Sequence, residues 1–176
     1  QLAFACYALG ALCLHPDAEK PEQERCRVAM AALIERMIQR RVWAYWVYHA
    51  DRLHILADPV RYANAQYSGH LALMIGVFEL VGGGWRYDED FYLIWVHTER
   101  YPYTHEILVE SLWQQMRTNA HHGVESEPGC VRVADMCPVL WCTLLFDRLH
   151  GGSYSECNTE WLAFLRRRMV LRGPRL

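Results

Sequence analysis

The chain has 176 residues, of which 52% are hydrophobic, 12% aromatic and only 22% charged. This composition excludes disordered, collagen-like and coiled-coil chains, and the length is typical of one domain, so we expect a single domain over residues 1–176. The 18 Lys and Arg against 20 Asp and Glu give a net charge of −2, which argues against nucleic-acid binding by phosphate neutralisation.

The first apolar segment, from Leu2 to Leu14, predicts a helix that stops near Pro16. No basic leader precedes it in this sequence, so it does not have the pattern of a signal peptide. It is also too short to cross a bilayer, and we expect no membrane span elsewhere. The sequence begins at Gln1 and enters an apolar segment at once. We therefore expect a chain that was cut or processed from a longer one and is incomplete at its N-terminus.

Pro21 begins a second, long helix whose first turn contains Glu22 and Glu24, as the helix dipole favours. Its expected buried side consists of Val28, Ala32, Leu33, Met37, Ile38 and residues 43–46. Asn64 is a suitable cap for a third helix that continues to about Leu80, where the glycines at 82–84 end it.

The segment Phe91–His97 is aromatic and β-branched, which predicts a short strand or extended loop. The elements expected after it are a helix from Thr104 to about Ala120, an irregular segment over 121–136, and helices over about 138–149 and 156–170. Long apolar helices joined by uneven loops predict an all-α architecture whose connections carry the chemistry.

Tyr67, His70 and Met74 are spaced so that they share one face of the third helix. A tyrosine and a histidine at the mouth of an apolar face make an acid/base pair over an apolar pocket. The alternative is a core histidine paired with a carbonyl group, with Gly69 allowing close helix packing.

The loop from His121 to Cys130 gathers polar side chains in an otherwise apolar chain, among them Ser126 and Glu127, and Asp135 follows closely. Such a loop is a natural site candidate, although a solvated surface loop would have the same composition. The sequence has no G-x-S-x-G elbow, so ordinary serine-hydrolase chemistry is not expected.

The seven cysteines form no C-x-x-C pair, so neither a disulfide framework nor a standard zinc site is predicted. They mildly favour a reducing, cytoplasmic compartment. Aromatic side chains are abundant and could wall a pocket for a hydrocarbon or a sugar, or simply fill the core. They include Trp43, Tyr45, Trp46, Tyr48, Tyr92, Trp95, Tyr101 and Tyr103.

Five short motifs follow one another between Trp43 and Asp147. They are Trp43-Ala44-Tyr45-Trp46, Asp58-Pro59-Val60, residues 64–71 with Tyr67-Ser68-Gly69-His70, Arg86-Tyr87-Asp88-Glu89, and His122-Gly123-Val124 with Glu127-Pro128. In this order and at about these spacings, they resemble the linalool dehydratase/isomerase family. The resemblance covers more than half of the chain.

The resemblance implies an all-α fold with an (α/α)6 barrel core, of which a chain of 176 residues covers about half to two-thirds. It also implies an enzyme that needs no cofactor or metal and assembles as a homo-oligomeric ring with sites near subunit contacts. We accordingly expect a lyase/isomerase that dehydrates or isomerises a terpenoid allylic alcohol. Its expected partner is this small apolar alcohol, as the substrate.

The resemblance places His70 in the acid/base machinery with Tyr67 and Gln66 beside it. It places Ser126 where the family has a catalytic cysteine, and a second family cysteine falls near Asp135. The predicted catalytic residues are His70, Tyr67, Ser126, Asp135 and Glu127. The predicted substrate-binding residues are Gln66, Trp43, Tyr45, Trp46, Met74 and Cys137, the last close to the second cysteine but out of register.

Dehydration of such an alcohol needs an acid for the departing hydroxyl, a base for a neighbouring C–H proton, and a dry apolar pocket. A serine cannot replace a thiol as a proton shuttle, because its hydroxyl is far harder to ionise. Two alternatives therefore stay open: a carbohydrate-active (α/α)6 enzyme using Asp88 and Glu127, and a catalytically silent interaction domain. Catalytic carboxylates paired at a suitable distance would favour the first alternative. Divergence of Tyr67, His70, Ser126 and Asp135 from one closed pocket would favour the second.

Overall fold

The computed structural model describes residues 1–48, 57–96 and 99–169, and within these ranges it is mostly helical, as expected, with one small sheet. The elements in chain order are α1 (Leu2–Cys13), α2 (Lys20–Met37), α3 (Arg40–Trp43), α4 (Ala65–Leu80), β1 (Phe91–Val96), β2 (Glu99–Tyr103), α5 (His105–Thr118), α6 (Val133–His150), a 3-10 turn (Tyr154–Glu156) and α7 (Cys157–Arg168). Helix α4 is central: it packs most extensively on α6 and also contacts α1, α2 and α5.

The long second helix predicted from the sequence is broken, because α2 ends at Met37 and the short α3 begins at Arg40. Its buried side also differs from the prediction: Val28 is exposed. The residues that α2 buries are Cys26, Met30, Ile34 and Met37. Val28 lies two positions from Cys26 and from Met30, and a helix turns about 100° per residue, so it faces away from them.

The predicted helix starts are only partly capped as expected. Thr104 does cap α5, since its hydroxyl accepts a hydrogen bond from the Ile107 N–H at 3.1 Å. Asn64 occupies the N-cap position of α4 without capping it. Its side-chain oxygen instead accepts a hydrogen bond from the Tyr45 hydroxyl at 2.9 Å. Beyond α4, Gly82 has a φ of 80°, a conformation that glycine adopts at little cost.

Helix α6 begins at Val133, earlier than predicted, and contains Pro138. A proline removes one helical hydrogen bond, and here α6 packs tightly on α4 at this position. A Cβ atom on Gly69 of α4 would lie only 2.8 Å from Cγ2 of Val139. The helix interface therefore requires a glycine opposite Val139.

The sheet contains the predicted strand β1 and an unpredicted antiparallel partner, β2. Pro102 of β2 pairs with Tyr92 of β1; proline is compatible with a two-stranded sheet, where its strand has a free edge. The predicted ends at His97 and Val170 lie outside the described residues. Among the described helices, none combines the length and the apolar character needed to cross a membrane.

Candidate active site

An open groove runs along α4 between α1 and α6 and has a volume of about 600 Å³. Its floor is a stripe of α4 residues at helical spacings of three and four, which brings them to one face. These residues are Gln66, His70, Leu73, Val77 and Leu80. The close approach of α1 to α4 defines one side of the groove, and α6 defines the other.

The groove walls are largely apolar and expose aromatic rings. Helix α1 contributes Phe4 and Tyr7, and α6 contributes Asp135, Cys137 and Trp141 among others. Phe4 is 67% exposed and Trp141 is 63% exposed. Exposed aromatic rings lining one concave surface are characteristic of a binding or assembly surface.

A second cavity of about 440 Å³ adjoins the groove and shares Phe4, Gln66 and His70 with it. Tyr45 and Tyr67 line this second cavity, which His70 also borders. The Tyr45 hydroxyl donates to Asn64. Burial raises the pKa of Tyr45, so its ring presents a neutral surface.

His70 is held at the groove floor by Tyr7. The Tyr7 hydroxyl oxygen lies 2.8 Å from Nδ1 of His70 and 3.5 Å from the backbone carbonyl oxygen of the same residue. Burial lowers the pKa of the His70 imidazole, and the negative charge of Asp135 partly opposes this effect. The groove thus contains an imidazole that favours its neutral form.

Tyr7 keeps its proton, because burial raises the pKa of its phenol far above the ordinary value. Two hydrogen-bond arrangements follow. The hydroxyl can donate to Nδ1 of His70, or it can donate to the His70 carbonyl and accept a hydrogen bond from Nδ1–H. In the second arrangement the lone pair of His70 Nε2 is free to accept a proton.

Asp135 and Glu127 are both predicted catalytic residues, but only Asp135 lines the groove. Its carboxylate lies 4.0 Å from a guanidinium nitrogen of Arg132. Glu127 instead forms a surface ion pair with the same Arg132, at 2.5 Å. Arg132 therefore bridges the groove carboxylate and the polar loop.

Tyr67 does not face His70 as the spacing predicted. Its hydroxyl donates to the backbone carbonyl of Met37 at 3.1 Å, and Met74 is fully buried. At about 100° per residue, both positions lie to one side of the groove stripe, toward α2. The predicted Tyr67–His70 pair is replaced by a contact between His70 and Tyr7.

Ser126 is buried in the polar loop and does not line the groove. Its N–H donates to the Cys130 carbonyl at 2.8 Å, and its hydroxyl accepts a long hydrogen bond of 3.4 Å from the Arg132 N–H. The loop is tied to the start of α4, because the Ala65 N–H donates to the Glu125 carbonyl at 2.9 Å. In this structure Ser126 organises the turn next to the site.

The predicted tryptophans belong to the core. Trp43 donates its indole N–H to the Ile38 carbonyl at 3.0 Å and packs against Trp95. Trp46 is also buried. The carboxylates considered for sugar chemistry lie apart: Asp88 lines a different cavity, next to His150, whereas Glu127 is paired with Arg132.

Tyr7 was not predicted as a site residue from the sequence, although its residue type was a signal. Between Leu2 and Cys13, Tyr7 is the one residue with an oxygen in its side chain. A single hydroxyl in such an apolar helix indicates a polar partner on the neighbouring element. That partner, His70, is 63 positions away in sequence, which no local pattern reveals.

A sequence profile of the linalool dehydratase/isomerase family matches residues 1–172 of the 176-residue chain. The match extends over nearly the whole chain and confirms the resemblance predicted from the five motifs. The chain belongs to the linalool dehydratase/isomerase family. Membership suggests activity of that type, and hence a lyase/isomerase.

Proposed function

We propose that this member of the linalool dehydratase/isomerase family dehydrates or isomerises a terpenoid allylic alcohol in the groove between α1 and α6. The observation that carries the proposal is the Tyr7–His70 contact at 2.8 Å, located on the floor of a largely apolar groove. Apolar walls match a hydrocarbon chain, and the few polar groups can orient one hydroxyl.

In this proposal, His70 is the base that accepts a proton from the carbon next to the breaking C–O bond. Burial lowers the pKa of His70, so the imidazole is neutral near pH 7 and able to accept a proton. Tyr7 accepts the Nδ1–H hydrogen bond and keeps the Nε2 lone pair toward the substrate. Asp135, whose charge acts on His70, stabilises the imidazolium that forms.

The proposed acid is the Cys137 thiol on the α6 wall, since thiols can donate a proton near neutral pH. The thiol proton passes to the departing hydroxyl, the C–O bond breaks, and water leaves. The C–H electron pair forms the new double bond as His70 takes the proton. A proton then returns from the imidazolium to the thiolate, directly or through water.

Isomerisation uses the same groups. After the C–O bond breaks, water adds at the other end of the allyl cation, and its extra proton returns to the Cys137 thiolate. Neither reaction consumes an oxidant or a reductant, and the proposed steps use no cofactor. The groups proposed here are His70, Tyr7, Asp135 and Cys137, with Gln66 and Tyr45 as substrate contacts.

We further propose that the groove is closed by another copy of the chain in a homo-oligomer. The exposed rings of Phe4 and Trp141 support this, because a water-free reaction space needs a cover over these walls. The cover would also remove a large apolar surface from water.

The proposal is tested by filling the groove with a larger side chain. Headspace gas chromatography would measure dienes and isomeric alcohols formed from a panel of acyclic terpene alcohols. Wild-type protein should form at least one such product. Leu73→Trp, which places a large ring on the groove floor, should abolish it.

The matched control is Leu12→Trp, at an exposed position of α1 that is not among the groove-lining residues; it should retain wild-type rates. Equal activity in both tryptophan variants, each verified as folded by circular dichroism, would contradict catalysis in this groove.

A further inference from the structure

Glu79, His105 and His150 form a second polar cluster where α4, α5 and α6 meet. His105 Nδ1 lies 2.9 Å from Oε2 of Glu79, and His150 Nε2 lies 3.1 Å from the same oxygen. One donor atom from each residue lies within 4.8 Å of the other two. Glu79 follows His70 by nine residues on α4, roughly 14 Å along the helix axis, so this cluster is separate from the groove.

The carboxylate of this cluster is buried against two imidazoles. The Glu79 carboxylate and the His105 imidazole have no solvent-exposed surface. Among the described residues, the ion-pair partners of Glu79 are the two histidines, with no lysine or arginine. A buried carboxylate is costly unless it is paired or coordinates a metal ion.

We propose that Glu79, His105 and His150 bind a divalent zinc-type cation. Two histidines and one glutamate are a common set of three protein ligands for zinc, with a fourth position left for water. The cation would place positive charge directly at the carboxylate. It would also join the C-terminal end of α4 to the first residue of α5 and the last residue of α6.

The surroundings of the cluster fit an ion site in two further ways. His150 borders a cavity of about 630 Å³ that is also lined by Asp88 and Glu106, so a cation has an entry path bordered by negative charge. Phe146 stacks on His150 at 4.3 Å between ring centroids and contacts the His105 ring edge-on at 5.0 Å. Both imidazoles are thus fixed in orientation before any ion binds.

Binding at these atoms requires the lone pairs of His105 Nδ1 and His150 Nε2. Their protons, now shared with Glu79, would move to the other ring nitrogens or to solvent. Zinc affinity should therefore weaken as the pH is lowered. This inference concerns a site apart from the groove and does not depend on the proposed reaction.

The test uses the full chain with Zn²⁺ as the probe, in a Cys130→Ser/Cys137→Ser background because both thiols are exposed and thiolates also bind zinc. After removal of free metal, elemental analysis should find about one zinc per chain. Co²⁺ should give visible absorption without the thiolate charge-transfer band. His150→Ala and Glu79→Gln should each lose the ion.

The matched control is His15→Ala, which removes a surface imidazole paired with Asp17 and should still bind one zinc. Retention of the ion by His150→Ala, or no binding by the parent protein, would overturn the proposal. If both cluster variants fail to fold, zinc must raise the melting temperature of the parent protein, and an unchanged melting temperature would count against the site.

Discussion

The Tyr7 hydroxyl lies 2.8 Å from Nδ1 of His70, which ties the first helix to the floor of the groove. The two residues come from helices that pack closely: a Cβ atom on Gly10 of α1 would lie 2.5 Å from a methyl group of Val77 on α4. The proposed base is thus oriented by a neighbouring helix, on the side opposite the thiol-bearing α6.

Tyr7→Phe should lower the turnover number more than it raises KM, because it removes the group that orients His70 and leaves the ring in the groove wall. The lost hydrogen bond should also cost about 1 kcal/mol of unfolding free energy. Steady-state kinetics and urea denaturation measure both effects. The ¹⁵N NMR signals of the His70 ring should show a changed tautomer.

Tyr67→Phe is the informative comparison for this variant. The Tyr67 hydroxyl donates to Met37, so its loss should cost similar stability but less activity than the loss of the Tyr7 hydroxyl. A larger loss of activity in Tyr67→Phe than in Tyr7→Phe would favour the acid/base pair predicted from the sequence alone.

The pH dependence of activity should follow the neutral form of His70. Burial lowers its pKa below the ordinary value of 6.5, so kcat/KM should be constant just above pH 6.5 and should fall only as the pH drops through the lowered value. A kcat/KM profile that already falls above pH 6.5 would contradict a neutral, buried base.

The same shift predicts how stability depends on pH. Because the folded-state pKa of His70 is lowered, the unfolded chain takes up a proton first as the pH falls below about 6.5. His70 therefore destabilises the fold progressively between that pH and its lowered folded-state pKa. The difference in unfolding free energy between wild type and His70→Gln should change over this window and be constant above it.

Gly69→Ala should destabilise the chain by about 1–3 kcal/mol, because the new methyl group would meet Val139 Cγ2 at 2.8 Å and the Val139 backbone nitrogen at 3.2 Å. Gly76→Ala is the matched substitution on the same helix. Its methyl group would meet the flexible end of Leu145 at 3.1 Å, and the higher helix propensity of alanine offsets that contact. Equal midpoints of urea denaturation for both variants would contradict the tight α4–α6 contact.

Trp141→Glu should shift the assembly toward smaller species, because it places a charge on an apolar ring that is 63% exposed on the groove wall. Analytical ultracentrifugation of wild type and variant measures the change. The control is Leu162→Glu on α7, an exposed position outside the groove. An unchanged sedimentation coefficient for Trp141→Glu would contradict closure of the groove by another copy.

The helices with strong local signals were predictable from the sequence. Thr104 caps α5 as expected, and the helix predicted from Asn64 to about Leu80 matches α4 closely. The errors arise where tertiary contacts, and not the local sequence, determine the start or the cap of a helix. The Asn64 side chain accepts a hydrogen bond from Tyr45 and does not cap its own helix. Pro138 lies inside α6, next to Gly69 of α4, and not at the start of the helix.

The candidate site was predictable only in part, for a related reason. His70 and Asp135 were singled out from their residue types and positions, and Cys137 through the family resemblance; all three line the groove. Their partners were not predictable, because Tyr7 is 63 positions from His70. The Glu79 cluster likewise joins residues 26 and 71 positions apart, and no short spacing marks it.

Catalysis by His70 is tested most directly by the product yield of wild-type protein and His70→Ala with acyclic terpene alcohols. Headspace gas chromatography measures this yield. His15→Ala, an exposed histidine on the surface, serves as the control. We expect wild type and His15→Ala to form a diene or isomeric alcohol at equal rates, and His70→Ala to be slower by about 10²–10⁴-fold. Unchanged product formation by folded His70→Ala would contradict the account.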